Sequence, residues 1–128
     1  MTDNEYDKKF EEVTEINKKI RQLDKEKSNL ILEIQAENKK RVLAMYPDVK
    51  VGDKVKVVYE DYFYYKEKNT QNELIGYFGG AELSSWDKNT TNLDSLYITI
   101  FKIKKDGTTS LKKDSIHPNQ IISITKID

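Results

Sequence analysis

The residues able to do chemistry are few in this chain and lie apart. The single histidine, His117, stands before a proline in a turn-like stretch. Its imidazole could serve as a general base, and Ser115 is close in sequence. A serine nucleophile of the hydrolase kind needs a Gly-x-Ser-x-Gly elbow, and no glycine flanks Ser115. His117 is therefore expected to be a structural or surface residue. The chain has no cysteine, which removes disulfides, thiolate catalysis and cysteine-held zinc together. Loop carboxylates fall at Glu60, Asp61, Glu82, Asp87 and Asp94. Calcium loops need oxygen ligands at fixed short spacing and a glycine at the turn. Asp87-Lys88-Asn89 starts such a run but lacks the later ligands and the glycine. Gly76, Gly79 and Gly80 are followed by no Gly-Lys-Ser/Thr ending, so they are not a phosphate loop; a bulge and a strand end suit them better. No catalytic residue, metal site or cofactor is expected, and the chain reads as non-enzymatic.

Two other sets of side chains suit binding. Tyr59, Tyr62, Phe63, Tyr64, Tyr65, Tyr77 and Trp86 exceed what a small core uses. Tyr and Trp bury large area with little rotamer loss and keep a polar tip. Tyr59, Tyr62, Tyr64, Tyr77 and Trp86 are the candidate binding residues, for a protein or peptide partner. Lys66, Lys68, Lys88, Lys102, Lys104, Lys105, Lys112 and Lys113 could form a basic edge. Interleaved with aromatics, such an edge suits single-stranded nucleic acid, the alternative partner. The charge balance weighs against it: 22 basic and 22 acidic residues give a formal net charge of zero, where nucleic-acid binders usually show a basic excess.

The element that must position these residues is a helix predicted from Asp3 to Met45. No Gly or Pro occurs before Pro47. Val13, Ile16, Ile20, Leu23, Leu30 and Ile34 repeat at steps of three, four and seven, which returns them to one helix face. Val13, Ile20, Lys27 and Ile34 take one core position of a heptad; Ile16, Leu23, Leu30 and Glu37 take the other. Thr2 and Glu5 have capping-box spacing. Acidic residues crowd the first turns and basic ones the last, which complements the helix dipole. Glu5 with Lys9, Glu15 with Lys19 and Glu37 with Arg41 are favourable pairs four apart.

Such a helix spans about 65 Å at 1.5 Å per residue, while the residues after it make a ball of only about 25 Å. A narrow apolar stripe of that length needs a second helix, because propensity alone stabilises an isolated helix little. Self-association through Val13, Ile16, Ile20 and Leu23, with Lys27 in the seam, is expected, as a homodimer. A parallel pair would place Lys19 against Asp24; parallel and antiparallel pairings both remain open. A hairpin folded at Lys27-Ser28-Asn29 is the rival, without a Gly or Pro to support its turn.

From Val49 the pattern alternates. A strand is expected from Val51 to about Tyr59, launched by Gly52-Asp53. A second runs Glu73 to Phe78 and ends at Gly79-Gly80. A polar loop follows from Ala81 to Asp94. The clearest strand is Ser95 to Ile103, rich in β-branched and aromatic residues. Lys104-Lys105-Asp106-Gly107 is a hairpin turn, a short strand follows at Thr108 to Lys112, Ser115 to Gln120 makes one helical turn, and Ile121 to Ile127 is the last strand. Val55, Val57, Leu96, Ile98, Ile100, Ile122 and Ile124 are the expected core.

This order of five short strands, with a long first loop, a medium loop, a tight hairpin and a one-turn helix, resembles the small barrel of the Src-homology-3 type over residues 51–127. Val58-Tyr59-Glu60-Asp61-Tyr62 sits where that family has Ala-Leu-Tyr-Asp-Tyr, and His117-Pro118-Asn119-Gln120-Ile121 where it has Pro-Ser-Asn-Tyr-Val. The resemblance implies an aromatic groove for extended peptides lined by Tyr59, Tyr62 and Trp86. Gln120 replaces the family's second tyrosine, and no Trp opens the third strand.

The expected architecture is α+β: a long coiled-coil-like helix over residues 1–46, then a five-stranded antiparallel barrel over residues 47–128. No stretch is apolar enough to span a bilayer and the N-terminus is polar, so a cytoplasmic protein is expected. The expected function is a non-enzymatic interaction protein that self-associates by its helix.

Overall fold

The computed structural model describes residues 1–61, 70–84 and 88–128. The chain divides into two compact units, Met1–Ile34 and Gln35–Asp128.

Helix α1 runs Asp3–Leu43. At its start the Thr2 hydroxyl accepts from the Glu5 N–H at 3.2 Å, so the expected cap is in place. Asp3 and Glu5 lie in the first turn and Lys40 and Arg41 in the last. The helix stops two residues before the expected Met45. There the Met45 and Tyr46 N–H groups donate to carbonyls three residues back, those of Val42 and Leu43. That tightened turn satisfies helix-end carbonyls just ahead of Pro47. Glu37 pairs with Arg41 at 3.4 Å, whereas Glu15 reaches Lys18 at 3.5 Å rather than Lys19. Exposed pairs of this kind add little stability.

The second unit carries five antiparallel strands: β1 (Lys54–Asp61), β2 (Thr70–Leu83), β3 (Leu96–Ile103), β4 (Thr109–Ile116) and β5 (Ile121–Lys126). Their order is β4-β3-β2-β1-β5. β4 and β5 are therefore edges, and the sheet is not closed. Short 3-10 turns at Leu93–Ser95 and Pro118–Gln120 lead into β3 and β5.

β1 starts later than expected because Val51-Gly52 is still turning: Gly52 has φ +95°, and its N–H donates to the Phe78 carbonyl at 2.8 Å. β2 does not end at Phe78. Gly80, at φ +86°, is part of a bulge between Phe78 and Ala81, and pairing with β3 resumes to Leu83. The glycines bend the strand instead of stopping it. β4 also outruns its expected end at Lys112. Its polar residues suit an edge, and Ile116, opposite Ile98, is buried.

The core joins Val42 of α1 to Val55, Val57, Phe78, Ala81, Leu96, Ile98, Ile100 and Ile116. Ile124 packs on its margin, but the expected core residue Ile122 is 52% exposed. A register irregularity beside Val58 and Tyr59 on the β1–β5 ladder shifts the phase, so Ile121 and Ile124 pack against the core and Ile122 does not. On the other side of β3, Thr99 is fully buried, and its hydroxyl has no hydrogen-bond partner among the described residues. The Phe101 ring lies over Gly79 beside it: a Cβ there would stand 2.6 Å from Phe101 Cε2 and 3.2 Å from Thr99 Cγ2.

Candidate functional site

Over Met1–Ile34 the helix keeps its apolar stripe in water. Val13, Ile16, Ile20 and Leu23 are 56%, 54%, 50% and 62% exposed. Lys27, Leu30 and Ile34 continue the line, also exposed. The stripe begins earlier than the apolar residues chosen from sequence. Tyr6 stands one heptad before Val13, exposed, with its ring stacked on Phe10 at 6.4 Å. Extending the seven-residue count one step towards the N-terminus finds it.

From Gln35 onwards the helix belongs to the sheet unit. The Gln35 side chain is 7% exposed, and its Nε2 donates to the Lys88 carbonyl at 2.8 Å and the Thr90 carbonyl at 3.0 Å. Asn38 donates to the Thr91 carbonyl at 2.9 Å. One helix face thus holds residues 88–91 by their backbone. Neither amide was singled out from sequence. A polar residue two turns before the buried Val42, as Gln35 is, gives no sign of burial without the loop it binds.

The candidate aromatics separate. Tyr59 shares the phase of Val55 and Val57 and packs against the core. Burial pushes its hydroxyl above the ordinary tyrosine range, and the Asp61 and Asp114 carboxylates add to the rise. Tyr77 lies opposite Lys54 and Phe101, on the other face, with its hydroxyl donating to the Gly107 carbonyl at 2.6 Å. Tyr59 and Tyr77 are therefore not brought onto one surface. Tyr62, Tyr64 and Trp86, with Phe63, Tyr65, Lys66, Lys68 and Asp87, lie outside the described residues.

The face of Tyr77 also carries Tyr97, which meets the His117 ring edge to face at 5.6 Å. His117 caps the 3-10 turn: its Nδ1 accepts from the Asn119 N–H at 3.2 Å. That leaves Nε2 as the N–H, which donates to the Asp94 carbonyl at 2.6 Å. Gln120 completes the cap by accepting from the His117 N–H. Both ring nitrogens are thus engaged in structure. Ser115 is exposed on β4.

The loop acids are dispersed. Asp61 accepts from Asn72 at 2.6 Å, and Glu82 pairs with Lys113 at 2.6 Å. Asp106 is lowered below the ordinary carboxylate range by hydrogen bonds from Thr108. Among the described residues no cluster of His, Asp and Glu could hold a metal ion, and no described helix is long and apolar enough to cross a membrane.

No family model, curated protein or solved structure matches this chain. The arrangement itself carries the functional reading. What it offers is surface: an exposed heptad stripe on one unit, and on the other an open sheet with separate aromatic groups on its two faces.

Proposed function

We propose that this is a non-enzymatic interaction protein that self-associates through α1 and uses its sheet unit to engage a protein or peptide. The observation that carries the reading is the uncovered stripe from Tyr6 to Ile34. Each such side chain contributes roughly 1.5–3 kcal/mol when buried, and a contiguous apolar strip is costly to leave in water. Sedimentation equilibrium at micromolar concentration is expected to give a dimer. Replacing Ile16 and Leu23 together by Asp is expected to give a monomer whose sheet unit still unfolds cooperatively. A wild-type monomer at all concentrations would overturn the reading.

The sheet unit is proposed to roll towards a small barrel of the Src-homology-3 kind. Strand order supports this, and so does a length argument. Across a flat five-stranded sheet the edges lie about 19 Å apart at 4.8 Å per strand. β4 and β5 are the edges, yet only the four residues His117–Gln120 join them, the last three of them a 3-10 turn. A 3-10 turn of that length rises only about 6 Å. Gln120 Nε2 also donates to the Glu60 carbonyl on β1 at 3.4 Å. In this reading Tyr59, beside that turn, sits at the mouth of the peptide surface. Nuclear Overhauser contacts between the Tyr59 ring and Asp114 are the expected signature; a flat sheet would show none.

A further inference from the structure

We propose that the Asp106-Gly107 step in the β3–β4 hairpin is a site of self-modification by succinimide formation, and that the Thr108 side chain holds it closed.

Asp106-Gly107 is the one place in the chain where an Asp or Asn precedes a Gly. There the Gly107 backbone nitrogen can attack the Asp106 side-chain carboxyl, because glycine has no side chain to hinder the approach. The Cγ–N bond forms and the Cγ–OH bond breaks. The hydroxyl leaves with the amide proton as water. A second water then opens the five-membered imide. Addition at Cγ restores aspartate. Addition at the main-chain carbonyl leaves isoaspartate, with the side-chain methylene now in the backbone. The ring closure runs from the neutral carboxylic acid, since a carboxylate has no hydroxyl to lose.

The setting admits this chemistry. Residues 104–109 are exposed, so water reaches both reacting groups. Gly107 lies at φ +87° in open space, and a Cβ built on it would meet nothing within 4 Å.

Three contacts oppose it. Asp106 Oδ1 accepts from the Thr108 hydroxyl at 2.6 Å and from the Thr108 N–H at 3.0 Å. Bonds to the charged form favour that form, so the carboxyl is held below the ordinary carboxylate range, by the hydroxyl first. Neutral acid is thereby scarce. The same two bonds tie the carboxylate to Thr108 and restrain its turning onto the Gly107 nitrogen. The Gly107 N–H is itself engaged, donating to the Lys104 carbonyl at 2.9 Å. Of the three donors only the hydroxyl belongs to a side chain, which makes Thr108 the residue that decides the rate. Isoaspartate would lengthen the turn by one methylene. The bond from Gly107 to Lys104, and the bond that the Gly107 carbonyl accepts from the Tyr77 hydroxyl at 2.6 Å, both depend on the present length.

The test ages four full-length proteins together at mildly acidic pH: wild type, Thr108→Val, Thr108→Ser and Tyr77→Phe. Peptide mapping follows isoaspartate at position 106 over time, and urea unfolding checks that each protein is folded. Thr108→Val is expected to isomerise about fivefold faster than wild type, the factor that one net hydrogen bond carries. Thr108→Ser keeps the hydroxyl and is expected to stay close to wild type. Tyr77→Phe frees the Gly107 carbonyl without touching the carboxylate, and is also expected to stay close. In concentrated urea all four are expected to share one rate. A folded Thr108→Val protein that isomerises at the wild-type rate overturns the proposal. Equal acceleration in Tyr77→Phe overturns it too, because general loosening of the turn would then be the cause. A difference between Thr108→Val and wild type that persists in urea assigns the effect to local sequence, with the same result. Wild type alone gives a further readout that depends on no variant. Its folded form is expected to isomerise more slowly than its urea-unfolded form at the same pH, and equal rates would show that nothing in the hairpin holds the site closed.

Discussion

Gln35 offers the most discriminating perturbation of the sheet unit. Its Nε2 lies 2.8 Å and 3.0 Å from two carbonyl oxygens. Two acceptors facing one amide fix which end is nitrogen. Gln35→Glu keeps shape and volume but replaces the double donor by an oxygen. At neutral pH it removes two hydrogen bonds, each worth about 1 kcal/mol net, and leaves the two carbonyls facing a carboxylate held at a buried position. A loss of about 3 kcal/mol or more is expected. Gln35→Met removes the bonds without the charge and should cost about 2 kcal/mol. The pH dependence separates the two. Burial among acceptors raises the new carboxyl's folded-state pKa above its unfolded value of about 4.3. The folded form then binds the proton more tightly, so stability is greatest below the unfolded pKa and is lost as pH rises through the folded one. Below about pH 4 the Gln35→Glu protein should regain roughly half its deficit against wild type, as its O–H donates to one carbonyl. The Gln35→Met protein should show no such recovery. Urea unfolding followed by tyrosine fluorescence at several pH values measures all three proteins. Equal stability of Gln35→Glu and wild type at pH 7 would refute the reasoning.

Four further outcomes are expected. Ile98→Ala, at the fully buried centre of β3, should cost about 2–5 kcal/mol in urea unfolding. Gly76→Ala should cost about 2 kcal/mol or more, because the added Cβ would overlap the Phe101 carbonyl oxygen and stand 2.5 Å from Ile100 Cγ2. Thr99→Val should be neutral or stabilising by about 1 kcal/mol, since it removes a buried hydroxyl without a described partner. Tyr46 and Tyr59 are raised above the ordinary tyrosine range, chiefly by burial. Their stabilisation is full below the unfolded pKa of about 10 and is lost as pH climbs through the folded values, so Tyr46→Phe and Tyr59→Phe should each flatten the alkaline loss of stability seen by thermal unfolding.

The helix was legible because its signals are local: caps, charge order and a seven-residue repeat all lie within the segment they describe. β3 was legible for the same reason, and Leu96, Ile98 and Ile100 are buried as their alternation predicts. Errors came where one strand's fate depends on another. Nothing in Gly79-Gly80 says that pairing resumes beyond the bulge, because the partner that draws β2 on to Leu83 is β3. Ile122 has the same chemistry as Ile121 and Ile124, and only the irregular β1–β5 register decides which of the three turns outward. Phe78 was passed over as a strand end and Ile116 as part of a helical turn, and both are core. The aromatic candidates were chosen by type, and strand phase puts Tyr59 and Tyr77 on different faces.

The strand order has a consequence for how the sheet is made. Ladders β1–β2, β2–β3 and β3–β4 join strands that follow each other in the chain, but β1–β5 joins the first strand to the last. Chain entropy favours the three sequential ladders first, because long-range closure is costly before other contacts support it. Once they stand, only the four residues His117–Gln120 separate β4 from β5, so β5 is delivered to β1 by a short tether and not by a search over the intervening chain. Substitutions in β5 should therefore speed unfolding while leaving the refolding rate nearly unchanged, and those in the β3–β4 turn should slow refolding.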